Sequence, residues 1–160
     1  MSRLFAVALL AVSGCGRQLD WYVDAPELYH PALAAAACWC AASDGEFCPQ
    51  IYPEPIEGAS AIRAVTLEQI RDRTDDHEDA CGRYWWNPAA AGTTEEILVC
   101  VDYRDVPGSY CRASDQTVEQ ALQGTIAHEL GHAAGLDHAS AGTMTSLHGE
   151  KHCPTAEDWP

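Results

Sequence analysis

Positive charge is scarce in this chain: Lys151 is its one lysine, and 9 basic residues stand against 24 acidic ones, for a formal net charge of −15. That balance excludes a nucleic-acid partner and charge-driven adsorption to anionic lipid. It is read as solubility in an extracellular setting rather than as selection of basic substrates. Membrane-spanning length is lacking as well. The N-terminal apolar run, Leu4 to Val12, falls well short of the ~20 residues a spanning helix takes. The 8 cysteines include no paired CxxC knuckles, which removes the usual pattern of a cysteine-held structural zinc. The acidic stretch Asp72 to Asp79 lacks the ordered ligand spacing of a calcium loop and reads as a solvated loop. There is no internal repeat and no low-complexity tract. With 47% hydrophobic and 21% charged residues in 160, what remains is a single globular domain.

The chain begins like an exported precursor. Arg3 supplies a charged start, Leu4 to Val12 the apolar run, and Val12-Ser13-Gly14-Cys15 resembles the lipobox of bacterial lipoproteins. Residues 1–14 are therefore expected to be a signal peptide, 15–20 a tether lipidated at Cys15, and 21–160 the functional domain. Plain secretion, with Cys15 in a disulfide, is the alternative. Any membrane association would run through that anchor alone. Cys38, Cys40, Cys48, Cys81, Cys100, Cys111 and Cys153 follow, scattered along the chain. Disulfides in an oxidising compartment are expected, and three bridges would leave one thiol over. Cys38 and Cys40 are two apart, so a helix would point them at different partners.

The pattern of elements is α+β. Trp21 to Val23, Gln50 to Tyr52, Ala59 to Val65 and Glu96 to Tyr103 read as strands, the last with Ile97, Leu98, Val99 and Val101. Pro26 and Pro31 precede an alanine-rich helix, Ala32 to Ala42, that carries Trp39; Thr66 to Arg71 reads as a helical turn. The clearest helix starts at Thr117, which forms a capping box with Gln120; Val118, Leu122 and Ile126 mark its apolar face. A small twisted sheet packed on two long helices, with a loop-rich C-terminal part, is the expected architecture.

That helix runs into His128-Glu129-Leu130-Gly131-His132-Ala133-Ala134-Gly135-Leu136-Asp137-His138. His128 and His132, four apart, stack on one helical face and can share a metal at about 2.0–2.1 Å. On a helical wheel His132 and Glu129 fall at the edge of the apolar face and His128 just beyond it. Glu129 is positioned as a base for a water in the open fourth position. Gly135 can take a left-handed conformation, stop the helix and return the chain so that His138 supplies the third ligand. Three imidazoles and a water make the open pattern of a catalytic site.

These eleven residues resemble the HExxHxxGxxH signature of the metzincin clan of zinc metalloproteases, and the matrixin-type members most. The resemblance implies Zn2+ held by His128, His132 and His138, Glu129 as general base, and Met144 as the Met-turn residue beneath the metal. It implies a peptide or protein substrate, lying extended along an edge strand, for which Glu96 to Tyr103 is the candidate. Three departures stand out: Met144 follows His138 by six residues, no tyrosine follows Met144, and no cysteine-switch pro-segment is expected after Cys15. His148 and His152, also four apart, have Gly149 and Pro154 near them and are not expected to form a helical metal pair. The rival readings are a non-catalytic, zinc-containing surface lipoprotein and a zinc hydrolase of cell-wall amides. Oligomeric state has no signature in the sequence.

Overall fold

The computed structural model describes residues 19–74, 81–85, 95–102, 108, 111–139, 142–144 and 153–160. The expected signal peptide, Cys15, His77, His148 and His152 lie outside the described residues. Among the described residues the chain runs β1 (Asp20–Val23), α1 (Pro26–Ala42), β2 (Gln50–Tyr52), β3 (Ser60–Val65), α2 (Leu67–Thr74), β4 (Gly82–Trp85), β5 (Glu96–Cys100) and α3 (Val118–Ala133). The five strands form one mixed sheet in the order β2-β1-β3-β5-β4. All pairings are parallel except β4 with β5. The architecture is α+β. No helix among the described residues is long and apolar enough to cross a membrane.

Alternation along β5 explains why its sequence is a continuous apolar run. Ile97 and Val99 join the main core with Trp21, Val23 and Ile62 against α1 and α3, whereas Leu98 and Cys100 pack with Val65, Leu67 and Ile70 on the α2 side. A strand covered on both faces has no polar side to show. Its place between β3 and β4 corrects the expectation that it forms an edge. The edge on this side of the sheet is β4, a four-residue strand beginning at Gly82. A run that short carries too little periodicity to announce itself.

α1 begins at Pro26 and passes through Pro31, six residues earlier than its alanines suggest. Pro26 in the first turn sacrifices no helical hydrogen bond. Pro31 removes one, a loss of about 3 kcal/mol in an isolated helix interior. Packing offsets it: Leu28, Pro31, Ala32, Ala35, Ala36 and Trp39 recur at helical spacing and are all buried. The small side chains let α1 lie close against α3, and the Trp39 indole donates to the carbonyl of Ala127 at 2.7 Å.

α3 starts as its sequence requires. Gln120 N–H donates to Thr117 Oγ1 at 3.1 Å, and Thr117 N–H to Gln120 Oε1 at 2.8 Å. α2 repeats the device with Thr66 and Gln69. From Thr125 to Gly131 every residue of α3 is buried, because α1 covers one side and β4 and β5 the other. His128 is thus well inside, not just beyond the edge of the apolar face where the helical wheel puts it.

Three disulfides staple the described residues: Cys38–Cys153, Cys40–Cys48 and Cys81–Cys111. Cys38 and Cys40 do take different partners, as their spacing predicts. Cys100, a buried thiol, lies outside the three bridges. Bridges in this number fit an oxidising environment outside the cytoplasm.

Candidate metal centre

The end of α3 builds the site. Gly135 has φ +91°, a conformation that side chains with a Cβ resist. Gly135 N–H donates to the His132 carbonyl at 2.9 Å and Leu136 N–H to the Gly131 carbonyl at 3.0 Å. This paired arrangement is a Schellman motif. It turns the chain back over the last helical turn and delivers His138 to the histidines of α3.

The three Nε2 atoms meet. His128 and His132 stand 3.1 Å apart, and each is 3.2 Å from His138. Nitrogens bound to one ion at about 2.0–2.1 Å with tetrahedral angles would be separated by about 3.3–3.4 Å. The observed spacing fits a single metal ion. His128 Nδ1 lies 2.9 Å from the Thr143 carbonyl, and His132 Nδ1 lies 2.8 Å from the Leu136 carbonyl. A carbonyl only accepts, so both rings carry their proton on Nδ1 and turn the Nε2 lone pair inward. Lone pairs this close repel one another unless a cation lies between them. Burial also holds the His132 pKa below its ordinary value, against the opposing hydrogen bond to Leu136, which favours the neutral, ligating ring. Together these three residues can hold a metal ion. His128 is buried, His132 half-buried and His138 exposed, so the cluster opens to solvent on the His138 side.

Glu129 reaches toward β4. It is 2% exposed, and its Oε2 accepts the Tyr84 N–H of β4 at 2.7 Å. Burial pushes its pKa up to about 8, against the lowering effects of that hydrogen bond and of Arg83. A cation in the histidine cluster would pull it back down. Room for the carboxylate depends on Gly82: a Cβ there would come within 2.6 Å of Thr125 Cγ2 and 2.9 Å of Glu129 Oε1.

Met144 is 2% exposed and belongs to the main core. Its sulfur lies where a Cβ on Gly131 would go, against α3 between the two helical histidines. Ala139 N–H donates to the Met144 carbonyl at 2.7 Å. The groups that sequence inspection misses are mostly main-chain: the Tyr84 N–H and the carbonyls of Leu136 and Thr143. Their side chains give no sign of the role. Cys153, bonded to Cys38, is committed away from the histidines.

No protein-family model, curated protein or solved structure matches this chain.

Proposed function

We propose that this protein is a zinc-dependent endopeptidase of the metzincin type, made as an exported lipoprotein precursor with its anchor at Cys15. The observation that carries the reading is the convergence of three imidazole Nε2 atoms within 3.2 Å of one another, with a buried carboxylate on the next residue of the same helix. Three imidazole nitrogen donors, with no fourth ligand grouped with them among the described residues, suit zinc in an open site. The likeness of residues 128–138 to the metzincin signature, and of Met144 to its Met-turn, supports the same assignment.

When bound, zinc would polarise the scissile carbonyl and acidify a water. His128, His132 and His138 would hold it, the first two oriented by their carbonyl partners. Glu129, deprotonated beside the cation, would take a proton from the attacking water and pass it to the departing amine. Its anchor on the Tyr84 N–H keeps the carboxylate from rotating away. β4, the outermost strand on its side of the sheet among the described residues, would receive the substrate chain in extended form, with main-chain hydrogen bonds aligning the scissile bond. β4 takes the role expected of Glu96 to Tyr103, because only an edge strand has pairing groups to offer.

The test is Glu129→Gln, which conserves shape and a hydrogen-bond acceptor for Tyr84. Zinc content should stay near one per chain, while cleavage of an unfolded protein should fall by at least ~10²–10⁴-fold. Undiminished cleavage would remove Glu129 from the mechanism. Muropeptides assayed in parallel separate peptide-bond cleavage from hydrolysis of cell-wall amides.

A further inference from the structure

We propose that residues 153–160 form a disulfide-tethered clamp on the metal centre, with Asp158 as the residue that positions His128. The proposal rests on the metal-binding reading of the three histidines, but not on what the enzyme cleaves.

Asp158 closes a compact turn on itself. Its Oδ2 accepts Thr155 N–H at 2.8 Å and Thr155 Oγ1–H at 3.1 Å, and its own N–H donates to the Thr155 carbonyl at 2.9 Å. The other oxygen, Oδ1, accepts Thr143 N–H at 2.9 Å. Thr143 is also the residue whose carbonyl meets His128 Nδ1. One side of Thr143 is thus pinned by a carboxylate while the other fixes the tautomer and direction of a metal ligand. Gly142, at φ +86°, leaves no space between the turn and Asp158: a Cβ there would run into the carboxylate. Charge-assisted bonds to backbone N–H groups are among the stronger ones available.

A carboxylate positions nothing unless the segment that carries it is itself held. Here an anchor stands on either side of it. Cys153 is bonded to Cys38 on α1. Trp159 stacks on Phe47, with ring centres 5.8 Å apart and planes 10° from parallel, and meets Trp39 edge-on. Its indole donates to Glu46 Oε2 at 3.2 Å. Trp39 in turn bonds to the Ala127 carbonyl, one residue before His128. The segment therefore grips α1 and the loop after it, reaches α3 through Trp39, and holds Asp158 between its grips. Groups hydrogen-bonded to metal ligands commonly change metal affinity by 10–100-fold when removed; Asp158 stands one residue further out.

The experiment measures Zn2+ affinity of the full-length protein by chelator competition, with near-UV circular dichroism to establish that each variant is folded. Amide exchange at Thr143 is followed in the metal-free state. Asp158→Ala should weaken Zn2+ binding by about tenfold and expose the Thr143 amide to exchange. Asp158→Asn, which retains one acceptor, should recover most of the affinity. Replacing both Cys38 and Cys153 by serine should shift affinity in the same direction by a smaller factor. A folded Asp158→Ala protein that binds Zn2+ within about twofold of wild type overturns the clamp and leaves the metal centre standing. If Asp158→Ala does not fold, Thr155→Ala decides, with a several-fold loss expected and unchanged affinity overturning the proposal. A wild-type protein that takes up no Zn2+ overturns the metal reading, and the clamp with it.

Discussion

The metal centre has a helical half and a loop half, and they are held by different means. His128 and His132 come from α3, one turn apart, and each ring is oriented by a main-chain carbonyl. His138 comes from the segment beyond Gly135 and is exposed. The helical half takes its spacing from the backbone itself, so packing has only to orient the rings. The loop half takes its position from a glycine turn and the closure of Ala139 on Met144. Burial is greatest where the helix sets the spacing, and exposure greatest on the loop side. Access to the ion would therefore be from the loop side.

Replacing one histidine in each half separates binding from folding. His128→Ala and His138→Ala should both abolish tight zinc binding, as measured by metal content after dialysis. Their effects on the metal-free protein should differ. His128→Ala leaves the buried Thr143 carbonyl without its donor and opens a cavity, costing about 2–4 kcal/mol in urea denaturation. His138→Ala, at an exposed position, should stay within about 0.5 kcal/mol of wild type. Equal destabilisation by the two would erase the distinction between the halves.

Gly131 lies where the halves touch. Gly131→Ala would drive a methyl into Met144 and to 3.0 Å from Trp39 Cζ2. A loss of about 1–3 kcal/mol is expected, as for other overpacked cores, with weaker metal binding because the Met144 turn must shift. Thermal unfolding with and without zinc reads both effects.

Glu129 offers a third test, through pH. Its carboxyl titrates near 4.5 when unfolded and is pushed up to about 8 in the metal-free fold. Between those values the folded form binds the extra proton, so the stability this group contributes is present in acid and is lost as pH rises toward 8. Glu129→Gln should remove that slope. The metal-free variant should be more stable than wild type at pH 8, by on the order of a few kcal/mol at most, and little different at pH 4.5. Parallel stability curves for the two proteins would show that the carboxyl is not desolvated.

The smallest effect belongs to the far end of α3. Thr117→Ala removes the cap that accepts Gln120 N–H, at about 0.5–2 kcal/mol. Zinc affinity should not change, since the cap lies three helical turns from His128. A drop in affinity would mean that the helical half is not locally set after all.

Much of the site was legible because its information is local. Helix periodicity put His128 and His132 on one face, Thr117 and Gln120 marked the helix start, and Gly135 marked its stop. Each depends only on residues a few positions away. The spacing of Cys38 and Cys40 was informative for the same reason. β4 was not legible, since four residues at a sheet edge carry no usable period. The misplaced edge followed from that: without β4 on the page, β5 is the outermost strand in sight. The burial of His128 was also hidden, because a helical wheel counts one apolar face and α3 has partners on two sides.

Local spacing alone determined which side chains come together at the end of α3, because an α-helix and its glycine stop are set by the nearest neighbours in the chain. The tertiary structure decided how each is held: Glu129 on the Tyr84 N–H, His128 on the Thr143 carbonyl, and Thr143 in turn on Asp158. Those partners are largely backbone groups from distant segments. Every residue carries the same N–H and C=O, so nothing in the side-chain sequence marks the ones that will be used.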